Sequence, residues 1–156
     1  MQTVLFLDVD GVLNTVPPAE PIEPDKVRLL ARLVHATGAS IVLHSGWRFW
    51  FDDALRPLRA ESAHMADLLA AEGLTLAGRT PDLSTGEIRR TRRFSQVKAE
   101  EILAWLAQHP IVQRWCVLDD LDLHNDAVAA HQVRPDAGVG LTHGDTLAAQ
   151  CILQGG

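Results

Sequence analysis

The sequence predicts an α/β fold, in which one Rossmann-like domain of three layers is built around a central parallel sheet. Short, continuously apolar segments alternate along the chain with longer amphipathic ones, which is the pattern of buried parallel strands joined by crossover helices. The chain has 156 residues, the size of one ordinary domain. We therefore treat residues 1–156 as a single domain.

The first half of the chain is predicted to contain two strands and a helix. Residues 3–7 are short and apolar and are terminated by Asp8-Val9-Asp10-Gly11, which indicates a central strand. Over residues 24–37 the apolar positions recur at spacings of three and four, and Gly38 follows, which is typical of an amphipathic helix and its end. Residues 40–44 predict a second buried strand.

The second half repeats this alternation with weaker signals. Its predicted elements are a helix at 65–71, a short strand at 74–77, a polar and basic segment at 78–93, a helix at about 95–108, a strand at 115–118, a weak fifth strand near 132–133 or 139–140, and a last helix at about 145–153. Strands and helices in this order favour a parallel sheet covered on both faces.

Composition and charge exclude several classes of protein. The formal net charge of −6 repels polyanions on average, so general coating of nucleic acid is not expected. Cys116 and Cys151 lie far apart and suggest neither a zinc site nor a redox dithiol. We find no apolar run long enough to cross a membrane and no signal peptide. A cytoplasmic protein without membrane partners is predicted.

Acidic and hydroxyl side chains follow the predicted strands at the points where they end. Asp8 and Asp10 follow the first strand, Ser45 the second, and Asp119 and Asp120 the strand at 115–118. Ligands of doubly wound sheets bind outside the carboxyl ends of the strands, so these side chains should converge. Clustered carboxylates need raised pKa values or a cation, and oxygen ligands alone favour Mg²⁺.

Several familiar kinds of site fit these motifs less well. Taken alone, Asp8-Val9-Asp10-Gly11 could be a turn. A calcium-binding EF-hand loop is excluded because Ala19 stands where the loop needs glutamate. No phosphate-binding Walker motif or dinucleotide fingerprint is present, and Ser45 lacks the first glycine of a hydrolase nucleophile elbow.

The ordered set of motifs resembles the haloacid dehalogenase (HAD) superfamily. The four matching segments are residues 6–14, 42–45, Lys98 and 117–120. Further segments, at 45–48, 80–81, 100–106 and 139–142, are similar to the HAD domain of Swiss Army Knife RNA repair proteins. That branch often carries arginine where this chain has Lys98. The resemblance implies a HAD-like fold, and the short segment from Gly11 to Pro24 leaves room for only a minimal cap or none.

The resemblance also implies a phosphatase that works through an aspartyl-phosphate and requires Mg²⁺. Asp8 would be the nucleophile, and Asp10 would protonate the leaving group and then activate water. An acid at position 10 favours a phosphatase over a dehalogenase. Ser45 would hold a phosphate oxygen, and Lys98 would stabilise negative charge.

The remaining predicted site residues bind the substrate or the metal. Gly11, Gly46 and Arg48 are predicted to contact the phosphorylated substrate. The predicted metal ligands are Asp8, Asp10, Asp119 and Asp120. Asp119 would bind the ion directly, and Asp120 either directly or through water.

In the superfamily that the chain resembles, open clefts usually go with bulky substrates, such as phosphoproteins or nucleic-acid ends, or with a partner that closes the site. RNA or DNA ends are therefore one predicted substrate class. The arginines at positions 89, 90, 92 and 93 would then contact a phosphate backbone, unless they are simply a solvated loop. Trp47 could stack a base, or the aromatic residues at 47–51 could pack in the core. A phosphatase for small metabolites or nucleotides and a binding module without catalysis stay open as alternatives.

Overall fold

A computed structural model describes residues 2–86 and 94–155 and contains a five-stranded parallel sheet in the order β3-β2-β1-β4-β5. The strands are β1 (Thr3–Leu7), β2 (Ser40–Leu43), β3 (Leu76–Arg79), β4 (Arg114–Leu118) and β5 (Gln132–Val133). The helices are α1 (Pro24–Thr37), α2 (Ala60–Ala71), α3 (Phe94–Ala107), α4 (Asp126–Ala129) and α5 (His143–Leu153), together with a 3₁₀ helix at Gly46–Trp50. The predicted α/β domain with a parallel sheet is confirmed.

The sheet is buried on both faces because alternate residues of its strands enter two separate apolar clusters. Leu5 and Leu7 of β1 pack with α1, α2 and α5 on one face. Val4 and Phe6 of the same strand pack with α3 and α4 on the other face. Every second side chain of a strand points to the same side, so the continuous apolar runs follow from burial between two helical layers.

The strand register sets the level at which the loops leave the sheet. Leu7, the last residue of β1, lies opposite Leu43 of β2 and Leu118 of β4. The backbone ladder continues for one more residue, since the N–H of Asp8 donates to Leu118 O at 3.0 Å and the N–H of His44 donates to Leu7 O at 3.0 Å. The residues that directly follow these strands therefore stand side by side.

The order of the strands places the residues that directly follow β1, β2 and β4 at the switch point of the sheet. From β1 the chain moves outward through β2 to β3, and it then crosses to the other side of β1 to form β4 and β5. Loops on the two sides of a switch point separate and leave a crevice. The ends of β1 and β4, which carry Asp8 and Asp119, border that crevice.

The largest differences from the sequence prediction concern α2, β3 and α4. Helix α2 begins at Ala60, five residues before the predicted start. The prediction missed its first turn because that turn lacks an apolar pattern. Strand β3 is displaced by two residues, since pairing with β2 begins at Leu76 while Leu74 packs into the core and is 3% exposed. The short helix α4 was not predicted; Asn125 caps it by accepting a hydrogen bond from the N–H of Val128.

The segments that follow β1 and β2 contain no inserted domain within the described residues. Residues 8–23 form turns and bends, and β2 is followed by the 3₁₀ helix and an isolated bridge between Phe51 and Pro57. The crevice is thus left uncovered by these two segments. None of the described helices combines the length and apolar character needed to cross a membrane.

Candidate active site

Asp8 occupies the centre of the crevice, directly after β1. It is 4% exposed, and the Nζ of Lys98 on α3 lies 3.5 Å from its Oδ1. Burial raises the pKa of Asp8 well above its ordinary value, and the charges of Asp119 and Asp120 raise it further, while Lys98 opposes the shift. One ammonium group therefore only partly offsets the charge around this carboxylate.

Asp119 is the anchor of the polar cluster. It is fully buried, and its Oδ2 accepts hydrogen bonds from His44 Nε2 at 2.9 Å and Lys98 Nζ at 3.0 Å. Its Oδ1 accepts the N–H of Leu121 at 2.9 Å. Burial alone would raise the pKa of Asp119, but His44 and Lys98 outweigh burial and hold that pKa below its ordinary value. Asp119 is thus ionised, with both oxygens occupied.

His44 takes part in this cluster although the sequence analysis assigned it no role. Burial lowers its pKa, so its imidazole is neutral at pH 7 and donates from Nε2. The buried Nδ1 has no hydrogen-bond partner among the described residues. The signal that could have identified it is its position directly after β2, which corresponds to Asp8 after β1. A lone histidine in the sequence does not reveal that register.

Asp120 lies on the opposite side of Asp8, against the turn that follows β1. A Cβ on Gly11 would stand 2.6 Å from Asp120 Cγ, and Gly11 has a φ of 83°, a conformation that favours glycine. Burial and the charge of Asp119 raise the pKa of Asp120. Gly11 thus allows the carboxylate of Asp120 to approach the backbone.

These carboxylates meet the requirements of a divalent cation. Asp8, His44 and Asp119 present ligand atoms within 4.8 Å of one another. His44 Nε2 and Asp119 Oδ2 already share a hydrogen bond, however, so a metal on those two atoms would have to break it. Asp8 and Asp120 retain raised pKa values, which is the expected state of paired carboxylates that lack a compensating charge. Oxygen-only donors of this kind suit a hard divalent cation.

Asp10 stands at the mouth of the crevice and is exposed. Its two oxygens accept from Asn14 Nδ2 at 2.9 Å and from Trp47 Nε1 at 3.2 Å. Buried Asn14 also accepts the N–H of Gly11 at 2.9 Å, so one amide orients both the turn and the carboxylate. The first predicted motif contains Asn14 but gives it no role. Trp47 is buried and donates to Asp10, so it does not present an open face for stacking.

Ser45 and Gly46 begin the 3₁₀ helix beside Asp8. Ser45 is 2% exposed, and its Oγ accepts the N–H of Trp47 at 3.1 Å, as an N-terminal cap does. Gly46 is exposed, and beyond its two chain neighbours no heavy atom of the described residues lies within 4 Å of the position of a Cβ. The structure therefore brings the predicted phosphate-binding loop next to the end of β1, with open space at Gly46.

Arg48 is turned into the protein instead of toward the crevice. It is 5% exposed, its Nη2 donates to Glu101 Oε2 at 2.8 Å, and its Nη1 donates to the carbonyl oxygens of His44 and Ser45 at 3.2 and 3.1 Å. Glu101 lies on α3, the helix that carries Lys98. This buried ion pair joins the Ser45 loop to α3, and direct substrate binding by Arg48 stays a prediction.

We expect Glu101→Leu to destabilise the protein by about 3 kcal/mol or more, because it leaves the buried guanidinium of Arg48 without its charged partner. Urea unfolding measures the change. The double variant Arg48→Met/Glu101→Leu should recover part of the loss. Asp25→Leu, which breaks the exposed pair with Arg28, is the matched control and should cost less than about 1 kcal/mol. Equal losses in the two single variants would contradict the assignment.

The arginines predicted to contact a phosphate backbone, at positions 89, 90, 92 and 93, lie outside the described residues. The expectation about them therefore rests on sequence alone.

The fold and the crevice define the class of protein. Carboxylates follow β1 and β4 on the two sides of the switch point, and a lysine from the helix that precedes β4 lies between them, as expected of a HAD-type hydrolase domain.

The chain belongs to the family described as the HAD domain in Swiss Army Knife RNA repair proteins, whose profile matches residues 4–146. The match includes every candidate site residue named above and confirms the resemblance seen in the sequence. No curated protein and no solved structure matches the chain. Membership of this family supports a phosphatase of the general HAD type.

Proposed function

We propose that the protein is a Mg²⁺-dependent phosphomonoesterase that acts on nucleic-acid ends through an aspartyl-phosphate on Asp8. The observation that carries this proposal is the position of Asp8. It is a buried carboxylate at the switch point, 3.5 Å from Lys98 and close to the carboxylate of Asp120. A candidate nucleophile, a fixed cation and acidic neighbours thereby lie together at the carboxyl end of the sheet.

The reaction proceeds in two steps. In the first, a carboxylate oxygen of Asp8 attacks phosphorus, the bond from phosphorus to the ester oxygen breaks, and Asp10 gives its proton to the departing alkoxide. In the second, a water molecule gives a proton to Asp10 and attacks the phosphorus of the aspartyl-phosphate, and the bond from phosphorus to the Asp8 oxygen breaks. Inorganic phosphate leaves and Asp8 is restored. Division into two steps through an acyl phosphate is the advantage of a carboxylate nucleophile.

Lys98 and Ser45 stabilise the charge of the transferring group. Burial lowers the pKa of Lys98, but the charges of Asp8 and Asp119 outweigh burial and raise it, so Lys98 stays an ammonium throughout. Ser45 would donate its hydroxyl to a phosphoryl oxygen while its Oγ still accepts from Trp47. Such preorganised donors and positioning account for most of the catalysis of phosphoryl transfer.

The residues that would hold Mg²⁺ are Asp8 and Asp120, with the backbone carbonyl of Asp10. When bound, the ion supplies positive charge to the phosphoryl oxygens. Asp119 has a different task in this proposal, since both its oxygens are already bonded: it holds Lys98 and His44 in place.

The proposal of nucleic-acid ends has two supports. The matched family is described by its occurrence in RNA repair proteins. In addition, the described segments after β1 and β2 leave the crevice open, which suits an end that belongs to a large molecule. Both supports concern the substrate alone and leave the chemistry unchanged.

The test is phosphate release from 3′- and 5′-phosphorylated oligonucleotides, mononucleotides, sugar phosphates and an aryl phosphate, with and without Mg²⁺. We expect clear preference for one oligonucleotide end, and loss of activity when chelator removes Mg²⁺. Asp8→Asn is the matched control. Preference for small compounds would favour a metabolite phosphatase. If the protein released no phosphate from any of these substrates but still bound Mg²⁺, a binding module without catalysis would be favoured.

A further inference from the structure

A cleft of about 420 Å³ adjoins the proposed phosphoryl site on the side of α3. Gly46, Phe49, Phe94, Val97 and Lys98 are among the residues that line it. Gly46 follows Ser45 directly, and Lys98 contacts Asp8 and Asp119. The cleft is thus continuous with the groups that would hold the phosphoryl group, and its volume lies in the range of small-molecule sites.

Two phenylalanines that line this cleft are exposed to solvent. Phe49 is 51% exposed and Phe94 is 47% exposed. The neighbouring aromatic residues Trp47 and Phe51 pack in the core, so the expectation that Phe49 packs there too is wrong. Two half-exposed rings that line one cleft beside a polar site form an apolar patch of the kind that ligands bind.

One face of the Phe49 ring packs against the guanidinium of Arg48. The Cζ of Arg48 lies 4.4 Å from the centroid of that ring, and Arg48 is itself held by Glu101 and by backbone carbonyls. A guanidinium on one face of an aromatic ring is a favourable contact. Phe49 therefore offers a preorganised flat surface to the cleft.

We propose that this cleft binds the nucleobase next to the scissile phosphate, stacked against Phe49 and in contact with Phe94. The inference rests on the proposed function, which supplies the nucleic-acid end. The charged and polar side chains that also line the cleft are Arg48, Asp82, Ser84, Lys98 and Glu101. A nucleobase suits the cleft because every base has a flat π face that can stack on an aromatic ring, whichever base it is. Cleavage should therefore depend on the presence of a base and only weakly on its identity.

The test compares two oligonucleotides that are phosphorylated at the preferred end and differ only at the terminal residue, which either carries a base or is abasic. We expect wild-type kcat/KM to be about tenfold higher with the base present, as stacking on one aromatic side chain allows. Phe49→Ala and Phe94→Ala should each reduce that ratio severalfold, because the loss falls mainly on the end that carries the base. Ile111→Ala is the matched control, since Ile111 is exposed and precedes the amino end of β4, away from the carboxyl ends of the strands where the site lies.

A second measurement reports binding without turnover. With Asp8→Asn as the background, a terminal 2-aminopurine should lose fluorescence on binding, and the added change Phe49→Ala should remove most of that quenching. Equal rates on the two ends, or an unchanged ratio in both phenylalanine variants, would overturn the nucleobase site while leaving the phosphatase intact. Preference for a phosphotyrosine peptide that depends on Phe49 would overturn it in favour of an aryl ester. No Mg²⁺-dependent release from either oligonucleotide would instead overturn the proposed function.

Discussion

Asp8→Asn is expected to reduce phosphate release by a factor on the order of 10⁴ or more, since the proposed covalent step has no other nucleophile. The same change is expected to raise the melting temperature of the Mg²⁺-free protein. Burial and two neighbouring carboxylates raise the pKa of Asp8, whereas an asparagine amide carries no charge and could donate to Asp120. Thermal melting in the presence of chelator, together with phosphate release, measures both effects.

The pH dependence of this stabilisation has a definite sign. Because the pKa of Asp8 is higher in the folded protein than in the unfolded chain, the unfolded chain releases its proton first. The free energy of unfolding then falls as pH rises from the ordinary aspartate pKa toward the raised one. The wild-type protein should show this fall more strongly than Asp8→Asn when Mg²⁺ is absent.

Asp10→Asn is the matched control for stability because Asp10 is exposed. It should impair turnover without raising the melting temperature, because it relieves no buried charge and removes one of the two oxygens that accept from Asn14 and Trp47. If Asp8→Asn melted no higher than the wild type without Mg²⁺, the buried charge of Asp8 would not be a cost to the fold. Near-normal activity of soluble Asp8→Asn would refute the mechanism itself.

Asp119→Ala is expected to unfold more readily by about 3 to 5 kcal/mol, because it leaves buried Lys98 and His44 without their shared acceptor. Its activity should fall at least about a hundredfold as Lys98 loses its position. Asp120→Ala should behave differently. It removes a carboxylate whose pKa is already raised, so stability without Mg²⁺ should hold or improve, while the Mg²⁺ concentration needed for activity should rise at least about tenfold.

Urea unfolding and Mg²⁺ titration of both variants separate the two roles. The expected pattern assigns Asp119 to the positioning of Lys98 and Asp120 to the metal. The reverse pattern, in which Asp119→Ala changes mainly the Mg²⁺ requirement and Asp120→Ala mainly the stability, would exchange those assignments. A rise in stability when Mg²⁺ binds wild-type protein, absent from Asp120→Ala, would give the same answer without any substrate.

Much of the fold and the positions of the main site residues could be predicted from the sequence because both depend on local signals. The apolar run that ends at Asp8 indicates a strand buried on two faces, whatever its partners are. The spacing over residues 24–37 predicts α1 with its observed bounds, since a helix shows its period within a few turns. The order of the acidic motifs was sufficient to suggest the family, which the match over residues 4–146 confirms.

The division of labour among the site residues depended on the tertiary structure. His44 enters the site because the register of β2 against β1 places it beside Asp8, and that register joins residues far apart in the chain. Asp119 and Asp120 are adjacent in sequence, yet one faces Lys98 and His44 while the other lies against Gly11. Consecutive residues that leave a strand point in different directions, so composition alone could not distinguish them.

Arg48 and Phe49, at the rim of the crevice, are a second case in which the sequence could not predict which way a side chain faces. The sequence suggested an arginine for the substrate and aromatic residues for the core. The structure buries the arginine against Glu101 of α3, and its binding of the substrate stays a prediction. It packs Trp47 and Phe51 in the core and exposes Phe49. A 3₁₀ helix turns successive side chains by about a third of a turn, so which one faces the cleft is decided by the position of α3 across the sheet. Residue type determined what chemistry this protein can perform, and long-range packing decided which side chains perform it.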